Sequence, residues 1–213
     1  MRKLYGHIIP FSFRKIFLTV SLLLFLSVSF SYSQVKYKIP CKEVLLELSD
    51  TILKQQVGIR EKTGHNDGRK VEAYLASVNL KKGNPYCAAG QYWCFDTAAF
   101  ILNLSEKDIP LAKTGLANGM YNSAKKKGEL SVYIPEVNDL IVWKDRWSSS
   151  GHIERIIAVL ENGWVLTVGF NTSNGLKGSQ ANGNGVFYRK RNLYYPLTRL
   201  LIVRGLIGFI RIC

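Results

Sequence analysis

The chain predicts an α+β domain in which N-terminal helices pack on a C-terminal antiparallel β-sheet. Two observations carry this. Apolar residues recur at helical spacing as far as about Lys127, and from Val132 onward short apolar runs are bounded by Asn, Gly and Ser clusters. Helices first and strands second is the order of an α+β fold, since βαβ folds alternate the two. A third observation is size. With 213 residues, 47% hydrophobic and 21% charged, the chain has enough apolar side chain for one core once its start is discounted.

That start, Met1 to Ser33, reads as a secretory signal. Arg2, Lys3, Arg14 and Lys15 precede the apolar run Ile16 to Phe30, and Ser31-Tyr32-Ser33 follows it. Cleavage is expected between Ser33 and Gln34, leaving 34–213 as a single domain that is secreted or periplasmic. The alternative is an uncleaved anchor, although the run falls short of the roughly 20 residues needed to span a bilayer. No cysteine follows closely enough to accept a lipid. Removing the segment takes away four of the 29 Lys and Arg and none of the 15 Asp and Glu, so the formal charge goes from +14 to +10. Such a field concentrates polyanions. No nucleic-acid motif is present, and in an exported chain an acidic cell-wall polymer is the better partner.

Taken in order, Pro40 to Val57 places Val44, Leu45, Leu48, Ile52 and Leu53 at helical spacing, with Gly58 just past the end. A polar, Gly-punctuated loop follows to Gly68, and Val71, Tyr74, Leu75 and Val78 mark a short second helix. Cys87 to Phe100 is an Ala- and aromatic-rich run that starts after Gly83-Asn84-Pro85 and suits a buried helix. Leu111 to Lys127 is a weaker helix. Asp139 to Lys144, Gly151 to Leu160, Trp164 to Phe170, Gly185 to Arg189 and Leu206 to Ile210 are expected strands, and Ser173 to Gly185 a loop. The apolar end, Leu200 to Cys213, reads as the last strand and its lead-in, with an interaction surface as the alternative.

Chemistry concentrates at three places. Cys87 falls in the first turn of its helix, where unpaired N–H groups and the helix dipole favour a thiolate. The alternative is a small buried hydrophobe. Asn162-Gly163 predicts a two-residue hairpin turn pairing Glu161 with Trp164. Counting outward puts Ile153, Ile157 and Val159 with Trp164, Leu166, Val168 and Phe170 on the core face. His152, Glu154, Ile156 and Ala158 then lie with Val165, Thr167, Gly169 and Asn171 on the other, Asn171 directly across from Glu154 and diagonal to His152. Of the two histidines after Ser33, His65 sits in a polar loop and His152 at a strand start, so His152 is the better base. Cys87, His152 and Asn171 together have the form of nucleophile, base and orienter. Cys87 and Cys94 are too far apart within one helix to bridge, at about 10 Å of rise. A disulfide between Cys41 and Cys213 stays open.

Gly58-Ile59-Arg60-Glu61 to Tyr74, Pro85-Tyr86-Cys87-Ala88-Ala89 to Trp93-Cys94, Asp139-Leu140-Ile141-Val142-Trp143, Gly151-His152-Ile153, Thr167 to Thr172 and Gly185 to Arg189 together resemble, in order, the CHAP family of cysteine peptidases and amidases. That family is related to the NlpC/P60 proteins and has a papain-like core. The resemblance implies cleavage of amide bonds in peptidoglycan, within its peptides or between muramic acid and L-alanine, with Cys87 as nucleophile and His152 as base. It implies no metal or cofactor. Three positions depart. Gly169-Phe170 stands where the family has Glu-Gly before the asparagine, so the acid that orients the histidine is missing there. Glu154 stands where the family has a glycine two residues after the histidine, and is a candidate replacement for that acid; the alternative is a solvated strand glutamate. Gly90-Gln91 replaces a more apolar pair, and Gln91 is expected on the helix surface, the alternative being an amide pointed at the site. Two other functions fit the same residues: a degenerate member that binds wall or partner without cleaving, and an exported thiol protease or acyltransferase acting on protein.

Overall fold

The computed structural model describes residues 36–131, 134–145, 148, 150–175, 183–194, 197–199 and 202–212. The expected signal segment, its cleavage site, Cys213 and the middle of the 173–185 loop lie outside the described residues.

Among them, the helices are α1 (Glu43–Gln55), α2 (Arg69–Ser77), α3 (Cys87–Ile101) and α4 (Ala117–Lys127), with a 3-10 turn at Glu106–Asp108. The strands are β1 (Lys36–Ile39), β2 (Glu129–Ser131), β3 (Leu140–Asp145), β4 (Gly151–Val159), β5 (Trp164–Thr172), β6 (Gly185–Asn192), β7 (Leu197–Arg199) and β8 (Ile202–Ile212). They form one sheet in the order β2-β1-β8-β3-β4-β5-β6, with β7 paired to β8.

The α+β class is therefore observed, with two corrections to its detail. A strand precedes the helices, and the sheet is mixed, because β1 runs parallel to β8. β1 is held by more than its ladder: the buried Lys36 ammonium pairs with the buried Asp139 carboxylate at 2.8 Å and donates to the Ile134 carbonyl at 2.7 Å. The apolar end of the chain is accounted for by β8, which lies between β1 and β3 and buries Phe209 and Ile210.

α3 is the central helix. Ten of its 15 residues are buried, and the others, Trp93, Asp96, Thr97, Phe100 and Ile101, recur at helical spacing as its one outward stripe. Tyr74, Phe95, Val168 and Phe170 belong to the core between helices and sheet. Gly90 permits the close approach: a Cβ there would lie 2.2 Å from the Phe170 ring. Gln91, expected on the surface, is instead buried, donating to the Val168 carbonyl at 3.3 Å and accepting from Arg155 Nε at 3.3 Å. Gln91 lies on the inward side of α3, opposite the partly exposed Trp93, Asp96 and Thr97 and the exposed Phe100.

Gly90→Ala sets two effects against each other. Helix propensity gains about 1 kcal/mol, while overpacking against an aromatic ring costs about 1–3 kcal/mol. The overlap with Phe170 is deep enough that overpacking wins. We expect a net loss of about 1–2 kcal/mol by urea unfolding, and unchanged or raised stability would contradict the packing.

Candidate active site

The β4–β5 hairpin decides which side chains meet. Asn162 and Gly163 have φ of 56° and 73°, and Trp164 N–H donates to the Glu161 carbonyl at 3.1 Å, so the tight turn forms where Asn-Gly predicts it. The ladder beyond it departs from the simple count. Leu160 N–H bonds to the Trp164 carbonyl at 2.8 Å, which moves the register by one residue, and a second irregularity between Ile156 and Ala158 moves it by one more. Glu154 consequently faces Gly169, not Asn171. Two one-residue shifts restore the alternation, so Glu154 and Ile156 still share a face with Thr167 and Gly169. Ala158 and Val159 change faces, pairing with Leu166 and Val165.

The alternation along β4 sends Ile153 and Arg155 under the helices. His152 and Glu154 go to the other face, beside a second cluster containing Ile141, Trp143, Ile156, Val165 and Phe209. Both are fully buried. His152 stacks on Trp143, its facing residue on β3, with ring centroids 6.0 Å apart. Its Nε2 lies 3.0 Å from Glu154 Oε1. An ionised carboxylate only accepts, so Nε2 carries the proton and the ring is fixed in that tautomer.

Glu154 has donors at both oxygens. Oε1 takes His152 Nε2 and one Arg191 N–H, while Oε2 takes Arg191 Nε at 2.8 Å and the Thr167 hydroxyl at 2.6 Å. Burial opposes the charged carboxylate, but the Arg191 guanidinium and the hydrogen bonds from Arg191 and His152 outweigh it and hold the carboxyl well below its usual range. Room for this group comes from its facing residue: a Cβ at Gly169 would lie 2.7 Å from Glu154 Oε1.

Cys87 opens α3, and its thiol lies 4.0 Å from the carbonyl oxygen of Gly151, the residue before His152. It is 4% exposed. The other helix cysteine, Cys94, is fully buried, and desolvation pushes its thiol up to about 12, so it stays protonated at neutral pH.

Asn171 is buried, with φ of 53°, and its amide donates to Asn66 Oδ1 at 3.0 Å. Asn66 N–H in turn donates to Glu61, whose other oxygen accepts from the hydroxyl of Tyr86, the residue before Cys87. Asn171 thus ties the 61–67 loop to the sheet, while the carboxylate on the His152 ring is that of Glu154. The sequence assigns no role at the site to Arg191, Thr167, Asn66 or Glu61, although Thr167 and Glu61 fall within the motifs quoted above. Arg189 and Arg191 sit two apart on a strand, a signal that both side chains point to one face.

Among the described residues, no group of three or more His, Cys, Asp and Glu is arranged to hold a metal ion, and no helix is long and apolar enough to cross a membrane. No family model, curated protein or solved structure matches the chain.

The Glu154–Arg191 pair revises one expectation. A solvated strand glutamate could be replaced without harm to folding, whereas Glu154→Gln leaves a buried guanidinium without its carboxylate, at about 3–5 kcal/mol. Because the folded carboxyl is depressed, its stabilisation is present above the unfolded value of 4.5 and is lost as pH falls through the folded one. Urea unfolding should therefore show a Glu154→Gln deficit that is largest near pH 7 and shrinks below about pH 4. A deficit independent of pH would contradict the ionised pair.

Proposed function

We propose that the chain is an exported peptidoglycan hydrolase that cleaves an amide bond through Cys87 and His152, on a core resembling the papain-like CHAP proteins. The observation that carries this reading is the carboxylate-bound imidazole of His152 at the start of β4, with the thiol of Cys87, at a helix N-terminus, 4.0 Å from the carbonyl oxygen of the preceding residue, Gly151. The exchange at one rung of the ladder adds support. The family places its acid at the position of Gly169 and a glycine at that of Glu154. Here the two are transposed between facing residues, and the carboxylate lies over the bare Cα of Gly169. Glu154 then orients the histidine, and Asn171 holds the 61–67 loop.

The steps follow from these roles. His152 Nδ1 takes the proton of the Cys87 thiol, Nε2–H staying on Glu154, and the thiolate attacks the amide carbonyl carbon. The N–H groups of the first turn of α3 stabilise the oxyanion. His152 returns the proton to the leaving nitrogen as the C–N bond breaks, leaving a thioester. Water, losing a proton to His152, then releases the acid and restores the thiol. The basic domain favours an acidic wall polymer as partner.

A second reading, a wall-binding protein that does not cleave, is favoured by the burial of both groups, Cys87 at 4% exposure and His152 at 0%. Mass spectrometry of purified peptidoglycan fragments incubated with the protein separates the two. The hydrolase predicts new fragments with the wild type, their mass identifying the bond, and none with Cys87→Ala. A folded wild-type protein that leaves several wall types intact would sink the hydrolase and favour the binder.

A further inference from the structure

Glu154, His152, Trp143 and Arg191 close a ring of side chains drawn from three strands. His152 Nε2 meets Glu154 at 3.0 Å, Arg191 forks Glu154 with Nε at 2.8 Å, the Arg191 guanidinium lies 5.9 Å from the Trp143 ring, and Trp143 stacks on His152 at 6.0 Å. Side-on forking by a guanidinium fixes the carboxylate plane, which a lysine cannot do. The ring also poses an electrostatic problem. A buried carboxylate against an imidazole strongly favours the imidazolium, and a base that holds its proton too tightly cannot exchange it. Arg191 supplies the opposing charge.

We propose that Arg191 is a positioning residue of the site: its fork aims the Glu154 carboxylate at His152 and offsets its charge, leaving the histidine able to give up its proton. The inference rests on His152 acting as the base. Among the described residues, the other charged or titratable groups near the pair are Arg189 on β6, whose backbone carbonyl accepts from Thr167 at 3.1 Å; Asp145 on β3, bonded through its N–H to the Ser150 carbonyl at 2.9 Å; and Cys87 on α3. Thr167 on β5 is uncharged. Arg191 alone among these forks the Glu154 carboxylate.

The test is titration of the His152 ring protons by NMR, with His65 as a loop reference, in the wild type and in Arg191→Gln, Arg191→Lys, Glu154→Gln and the Glu154→Gln/Arg191→Gln double variant. Removing the guanidinium should raise the His152 midpoint by about one pH unit or more, while lysine, which keeps the charge, should hold it within a few tenths. Glu154→Gln should lower the midpoint, and adding Arg191→Gln should bring it back up by about one unit. A folded Arg191→Gln protein with a wild-type midpoint overturns the proposal. Where that single variant does not fold, the double variant decides: both charges are gone, so no buried charge is left unpaired, and a midpoint equal to that of Glu154→Gln overturns it. A purely structural arginine would change unfolding, and its removal would leave the His152 midpoint in place with or without Glu154. The readout needs no substrate. Shifted midpoints without peptidoglycan cleavage would sink the hydrolase and keep the ring, whereas cleavage with unmoved midpoints would do the reverse.

Discussion

A carboxylate buried beneath a sheet is costly unless its charge is matched and both oxygens are bonded. Glu154 meets that condition through Arg191, Thr167 and His152, and the surrounding residues follow from it. Gly169 has no side chain because the carboxylate occupies that space. Arg191 has its guanidinium turned in toward Glu154, although it lies in a run of three basic residues. His152 keeps one tautomer because its neighbour accepts and cannot donate. In the proposed hydrolase, the interaction that stabilises the second face of the sheet would also be the one that sets the histidine for chemistry.

The opposite face solves a related problem with a cation. Arg155, on the same strand, is fully buried under the helices, where it donates to Gln91 at 3.3 Å and to Ser49 at 3.0 Å and lies 4.5 Å from the Phe95 ring. Gln91 also bonds to the β5 backbone. These contacts, with Gly90 against Phe170, fix α3 on β4 and β5 in height and rotation. Cys87, at the start of that helix, is thereby set at the start of β4.

Much of this was legible in the sequence where the signal is local. Asn162-Gly163 gave away the hairpin turn, and the Pro-led, Ala-rich run gave away α3 with Cys87 at its head. The two register shifts had no such mark, because residues 155–160 carry no Gly or Pro to signal a bulge. Their sum preserved the faces and so hid the error: Glu154 was placed correctly beside His152 and wrongly across from Asn171. β1, β2 and β7 span four residues or fewer, too few for a periodic signal, and the parallel pairing of β1 with β8 joins the two ends of the domain. The helical period does carry a usable message for Gln91, which falls on the side of α3 opposite Trp93, Asp96, Thr97 and Phe100, the side that packs inward.

In the proposed hydrolase, an imidazole held by Glu154 activates Cys87. Peptide-mapped labelling by iodoacetamide at near-neutral pH tests it most directly, comparing Cys87 with Cys94 in the wild-type protein and in His152→Ala. The account predicts that Cys87 reacts much faster than Cys94 and loses that advantage when the histidine is removed. Slow labelling of both cysteines, or a Cys87 rate indifferent to His152, would contradict it.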